Sequence, residues 1–238
     1  MANTELMSAI LGRIQERGLF NGIARYKYLP VDMDLAIELV EGIGKARNPK
    51  FRIDDENRFT FENMIRWCHC DNEMKCLDPA TKKVVPGNLK RGIYIAGNTG
   101  SGKSWALEIM AAYAMAFDFQ VKFGEKTRPL YWTNYRTDAI CDDYAANGSL
   151  EKYKQCPIFG IQDLGAESAE SLFMGNRVNV LRQILEFRGD RTDQMTLITS
   201  NLPMNHERFI ERYNDRVTSR LNEMCNYFEI VGKDRRKL

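Results

Sequence analysis

Gly97-Asn98-Thr99-Gly100-Ser101-Gly102-Lys103-Ser104 decides the fold of this chain. The run satisfies G-x-x-x-x-G-K-[ST] at every fixed position, and it falls between a short apolar stretch, residues 92–96, and a helical one, residues 104–117. A strand, a glycine-rich turn and a helix in that order make a phosphate cradle. Glycine admits backbone conformations closed to other residues, so successive N–H groups can turn inward at the positive end of the following helix. Residues 97–104 are therefore expected to hold ATP, with Lys103 on the β and γ phosphates. The Ser104 hydroxyl would ligate Mg2+, a hard cation that takes oxygen ligands and keeps several waters.

Outward from the loop, short apolar runs at 92–96, 129–133, 158–162, 195–200 and 227–231 alternate with helical stretches. That texture predicts an α/β P-loop NTPase, its five-stranded parallel sheet covered by helices on both faces. Residues 104–117 are apolar nearly all round, as a helix packed into a core requires. Upstream, Leu6, Ile10, Leu11 and Ile14 have helix spacing, as do Leu35, Ile37, Leu39 and Val40, with ends expected at Gly18 and Gly42. Polar residues 48–58 precede an amphipathic segment, 61–67, and a turn-rich section with Asp78-Pro79 and Pro86-Gly87. The expected division is a helical N-terminal module, 1–55, and an ATPase domain, 56–238.

The chain has 238 residues, 44% hydrophobic and 11% aromatic, enough to bury a full core. Lys and Arg total 34 against 32 Asp and Glu, so any nucleic-acid contact has to use local patches. No apolar stretch is long enough to cross a bilayer, and residues 1–10 lack the basic start and apolar run of a signal peptide. The expectation is a cytoplasmic protein, with no membrane partner and reduced thiols at its six cysteines. Cys68, His69, Cys70 and Cys76 are the residue types that hold zinc, but they lack the C-x2-C spacing of a knuckle. They are expected to be partly buried residues near a helix end.

Two later strands end in polar groups. Asp163 closes 158–162, where this fold places a second magnesium-directed carboxylate; the plainer alternative is an aspartate capping the next helix. Asn201 follows 196–200, where an amide can orient a water toward the γ phosphate; the alternative there is an ordinary turn residue.

Taken together and in order, four elements resemble the AAA+ ATPases of the DnaC helicase-loader and IstB transposition-helper family. They are the phosphate loop, Asp163-Leu164-Gly165-Ala166-Glu167, Thr199-Ser200-Asn201-Leu202-Pro203 and Arg216-Val217-Thr218-Ser219-Arg220-Leu221. The resemblance covers about residues 60–238. It implies a five-stranded sheet with a small C-terminal helical part, ATP-dependent homo-oligomerisation and service to a DNA-handling partner, a replicative helicase or a transposase. It gives Arg216 and Arg220, four apart on one helix face, the role of an arginine finger toward a neighbouring subunit's nucleotide. Arg236 falls where the family has an arginine on the same subunit's phosphates, with Arg235 beside it as the alternative. The catalytic set is then Lys103, Asp163, Asn201, Arg216, Arg220 and Arg236, with Ser104 and Asp163 toward the metal.

One departure is visible. The family ends its third strand with two adjacent acids, and this chain has Gln162-Asp163. With a neutral amide in the metal-directed place, magnesium should lean on Ser104 and the phosphates, and hydrolysis should be slow, with Gln162→Asp raising turnover. Between the second and third strands, where the family contacts single-stranded DNA, residues 134–155 carry Tyr135, Arg136, Tyr144, Lys152, Tyr153 and Lys154, interleaved with Asp138, Asp142, Asp143 and Glu151. The residues that carry the resemblance imply an ATPase that loads or remodels a replicative helicase on single-stranded DNA. An IstB-like transposition helper shares every motif. A P-loop small-molecule kinase is the alternative of another class, and an ATP-binding adaptor that scarcely turns over is a third, raised by Gln162. Residues 1–55 are assigned to partner capture by position.

Overall fold

Helix and strand signals resolve into twenty elements in the computed structural model, which describes residues 2–16, 22–124 and 126–235. The chain opens with α1 (Ala2–Glu16), β1 (Ile23–Arg25), α2 (Met33–Arg47) and α3 (Arg58–Cys68), followed by β2 (Lys75–Leu77) and β3 (Val84–Pro86). Then come β4 (Gly92–Ala96), α4 (Lys103–Ala116), β5 (Gln120–Phe123), β6 (Lys126–Pro129), β7 (Thr133–Arg136), α5 (Thr137–Asn147) and α6 (Glu151–Lys154). The last part holds β8 (Ile158–Leu164), β9 (Ser171–Phe173), β10 (Asn176–Val178), α7 (Val180–Gly189), β11 (Met195–Ser200), α8 (Glu207–Met224) and β12 (Cys225–Glu229).

The main sheet has the order β3-β2-β12-β4-β11-β8-β7. Its five parallel strands, β4, β7, β8, β11 and β12, stand in the spatial order fifth, first, fourth, third, second, and β2 with β3 adds an antiparallel edge. Period-two alternation splits the core between the two faces. Ile93 and Ile95 of β4 join Ile37, Val40, Trp67 and Leu107 under α2, α3 and α4. Tyr94 and Ala96 join Ile140, Leu181, Ile198 and Val217 under α5, α7 and α8.

Four sequence expectations shift. The second parallel strand is Thr133–Arg136, not 129–133, because Lys126–Pro129 pairs antiparallel with β5 and forms, with β1, a separate three-stranded ribbon. The fifth is Cys225–Glu229, two residues earlier than expected. The second helix, capped by the Asp32 carboxylate on the N–H groups of Asp34 and Leu35, runs through Gly42 to Arg47. Its Gly44 is required for packing, since a Cβ there would collide with the Phe51 ring. Gly18, the other expected helix end, lies outside the described residues. Lastly, Ile23, Ala36, Ile37, Val40 and Phe51 lie in the same core as α4 and the sheet, so residues 23–51 do not build a core of their own.

The C-terminal helical part is α8, which precedes the last strand. Asn214 interrupts it at φ 75°, and the Asn214 side chain accepts from Val217 N at 3.0 Å, capping its second half anew. Among the described residues, no helix is long and apolar enough to cross a membrane.

Candidate nucleotide site

The loop of residues 97–102 leaves the carboxyl end of β4 and feeds α4, whose first residue is Lys103. Gly100 (φ 83°) and Gly102 (φ 98°) take the left-handed conformations that let the chain curl, and a Cβ at Gly100 would strike the Asp234 carboxylate. Lys103 is only 4% exposed; its ammonium donates to Asn98 O and to Asn201 Oδ1, both at 2.8 Å. Two buried donors at the same place, Ser101 Oγ and Arg235 Nε, have no protein partner among the described residues. A loop that gathers an ammonium, a glycine-lined curve and unmet donors fits the oxygens of a triphosphate.

The strand-end acid arrives by way of a bulge. Ile198 of β11 pairs with Ile161 but Ser200 pairs with Leu164, so β8 holds one residue more than β11 across this stretch. Asp163 takes up the difference at φ 62°, a strained conformation for an aspartate. Two hydroxyls pin it: Asp163 N donates to Thr199 Oγ1 at 3.0 Å, and Thr137 Oγ1 donates to Asp163 O at 3.1 Å. The Asp163 carboxylate is thereby turned onto the loop, with Oδ1 3.4 Å from Ser104 Oγ. Gln162 faces the same helix one residue earlier, its amide donating to Ser104 O at 3.3 Å and to Glu108 Oε1 at 2.9 Å. Hydroxyl and carboxylate oxygens side by side are the donor set that a magnesium ion takes.

A cavity of about 280 Å3 joins these residues, lined by the loop with Trp105, Arg136, Asp163, Asn201 and Arg235. A second, of about 370 Å3, shares Trp105 and Arg235 with it and is walled by residues 48 and 50–52. The pair offers room for phosphates and, beside the Trp105 and Phe51 rings, for a base and ribose.

Arg235 is held from both sides. Its backbone N donates to Gly100 O at 2.9 Å, and its guanidinium forks onto Asp54 at 2.6 and 3.0 Å and reaches Glu56 at 3.2 Å. That hydrogen bond holds the Asp54 carboxyl below the usual carboxylate range. Arg236 lies outside the described residues, and Arg235 is the one that lines the cavity.

Lys103, Ser104, Asp163 and Asn201 are thus brought together, as their sequence positions anticipated. Arg136, Trp105 and Arg235 line the same cavity; no local pattern marks the first two, because their places depend on how distant strands and the loop meet. Arg216 and Arg220 are not in the cavity lining. Both lie on α8 and pair with Asp190, Arg216 at 3.5 Å, while Arg220 also meets Glu223 at 3.4 Å. Glu167 closes the turn after β8 onto α8, accepting from Gly165 N at 2.9 Å and from Tyr213 and Arg212.

The aromatic and basic residues of segment 134–155 are engaged in part. Tyr144 and Tyr153 are buried, Arg136 is held by Asp138, and Lys152 by Asp143 at 2.9 Å. Cys68 and Cys76 are core residues, burial pushing the Cys68 thiol up to about 12, and Cys70 Sγ accepts from Arg25. Among the described residues no three potential ligands converge on a metal position.

Five parallel strands in this order, a phosphate loop after the first, and polar side chains at the ends of the third and fourth define a P-loop NTPase fold of the AAA+ type. No family model and no curated protein matches the chain. Among solved structures it is similar to a protein from Streptococcus pyogenes serotype M3 described as a candidate primosome component, with a TM-score of 0.51 and 21% identity, over 76% of this chain and 83% of that one. Looser likenesses are to AMPPCP-bound DnaA from Aquifex aeolicus (TM-score 0.45, 16% identity, 76% of this chain and 48% of that one) and to the DnaC helicase loader (0.47, 13%, 77% and 94%). At these identities the likeness is one of fold.

Proposed function

We propose that this chain is an ATP-binding and hydrolysing accessory of DNA replication, which loads or remodels a replicative helicase on single-stranded DNA as an ATP-dependent oligomer. The observation that carries the ATPase part is the meeting of Lys103, at the start of α4, with Asp163 and Asn201, from the ends of β8 and β11, around one loop. Lys103 would hold the β and γ phosphates, releasing Asn201 to orient a water. Asp163 and Ser104 would hold magnesium, whose charge offsets that of the phosphates when it is bound. Arg216 and Arg220, remote from their own cavity, would act on a neighbouring subunit's nucleotide. The DNA part rests on the four motif blocks, and the fold shared with the S. pyogenes protein agrees with it. Leu6, Met7, Ile10 and Leu11 of α1 are exposed, and this apolar face is where the proposal puts partner capture.

Mixing two silent variants tests the shared site. Lys103→Ala should lower turnover about a hundredfold or more, and so should Arg216→Ala/Arg220→Ala. An equimolar mixture should recover about a quarter of the native rate, since an intact loop then meets intact arginines at a quarter of interfaces. Light scattering should show assembly with ATP. A monomer in every nucleotide state, with no recovery on mixing, would overturn the oligomeric reading.

A further inference from the structure

Far along α4 from the phosphate loop, the ribbon formed by β1, β5 and β6 carries basic and aromatic side chains on its two faces. Ala24, Lys122 and Thr127 stand opposite one another across the three strands, and the Tyr26 hydroxyl lies 3.0 Å from Thr127 Oγ1. Every residue of the edge strand β6 is exposed: Thr127 stands on the face of Ala24 and Lys122, and its neighbours Lys126 and Arg128 project from the opposite face along the same open edge. Lys27 follows Tyr26, and Tyr28 follows Lys27, all three exposed. Among the described residues, none of Lys27, Lys122, Lys126 and Arg128 makes an ion pair, whereas Arg136 and Lys152 in segment 134–155 do. Beside the ribbon runs a groove of about 580 Å3, its lining including Arg25, Tyr26, Tyr28, Asn88 and Lys90 and no acid. Of the acids about it, Asp71 pairs with Arg66, and Asp118 accepts from Gln120 Nε2. Glu125 lies outside the described residues.

We infer that this ribbon and groove form a binding surface for single-stranded nucleic acid. Cations without ion pairs along the open edge strand can meet the phosphates of an extended backbone. Exposed tyrosines give flat faces on which bases stack without regard to sequence. The surface answers a gap in the proposed function, on which this inference rests. The segment where the resemblance places the DNA contact has Tyr144 and Tyr153 in the core and its arginine and first lysine beside carboxylates.

The test uses the full chain and a fluorescent oligo-dT strand. Native protein should bind, with affinity falling linearly in log salt as phosphate contacts release counterions. Lys122→Glu/Lys126→Glu/Arg128→Glu should weaken binding at least tenfold and flatten that salt slope, and Tyr26→Ala/Tyr28→Ala should weaken it about tenfold with the slope kept. Lys152→Ala should bind as native protein does. Binding of a fluorescent ATP analogue and the far-ultraviolet spectrum, unchanged in each ribbon variant, establish that the fold survives. Ultraviolet cross-linking to Tyr26 or Tyr28 supports the assignment. Native protein that binds oligo-dT while the charge-reversed variant binds equally well, or cross-links within 134–155, overturns the surface and spares the helicase-loading reading. Native protein that binds no single strand in any nucleotide state overturns both.

Discussion

Asp163 and Gln162 exchange roles through one extra residue in a strand. The sequence places a neutral amide where related ATPases carry a metal-directed acid, and the expectation drawn from it was that Gln162→Asp raises turnover. The bulge changes the terms, because it swings Asp163 onto Ser104 and leaves Gln162 as a hydrogen-bond donor to Glu108, whose carboxylate also pairs with Arg47. An aspartate at 162 would remove that donor and set a second acid against Glu108. The single substitution is now expected to cost about 1–3 kcal/mol in urea unfolding without raising turnover. Exchanging the pair, Gln162→Asp with Glu108→Gln, returns a donor to the contact and should recover most of the stability. Phosphate release measured on both variants decides it: faster turnover in the single variant would restore the expectation drawn from sequence. The loop, Asp163 and Asn201 were legible because each sits at a fixed place beside an apolar run. The bulge was not, since an extra residue in a strand leaves no mark on periodicity, and neither was the Arg235 fork on Asp54, which joins residues 181 apart.

At the scale of elements, strands inside the sheet were legible and those at its margins were not. Ile158–Leu164 and Met195–Ser200 are apolar runs because both of their faces are covered. Thr133–Arg136 is the outermost parallel strand and half exposed, so it shows no such run, while the apolar residues just before it, Leu130 and Trp132, serve the core from a loop. The helix α7 is fastened by a residue whose type gave no hint of burial. Arg188 is wholly inaccessible and donates to Thr196 Oγ1, Tyr153 O, Cys156 O and Met195 O, tying α7 to the starts of β8 and β11. Burial pushes its pKa down to about 10, still far above neutrality, so it remains a cation matched to carbonyls by its planar fork. Arg188→Ala would leave four acceptors unmet and a cavity, and should cost about 3 kcal/mol or more, a fall in Tm on the order of 10 °C. Arg188→Lys keeps the charge but lacks the fork and should recover only part. A loss below about 1 kcal/mol for the alanine variant would show that water or local collapse replaces those bonds.

For the whole molecule, the question is whether the N-terminal 55 residues can be separated from the rest. Position alone suggested that they could, with ATP binding surviving their deletion. The core suggests two different segments. Leu6, Met7, Ile10 and Leu11 of α1 are exposed, and no described residue before Ile23 belongs to either core cluster, so removing residues 1–21 takes no described core residue. Removing 1–55 strips Ile23, Ala36, Ile37, Val40 and Phe51 from the face of α4, takes Asp54 from Arg235, and breaks the bonds that join Leu29 to His69. At about 1.5–3 kcal/mol for each large apolar side chain, that loss is of the same order as the 5–15 kcal/mol by which a whole domain is stable. The expected outcome is that the shorter deletion unfolds in urea as cooperatively as the full chain and binds ATP with native affinity, while losing capture of a helicase partner. The longer deletion should yield a protein with a broad transition that binds a hydrophobic dye at neutral pH. A 56–238 fragment with a sharp transition and native ATP affinity would mean that α2 and β1 only rest on the ATPase core, and the two-module division read from the sequence would then stand.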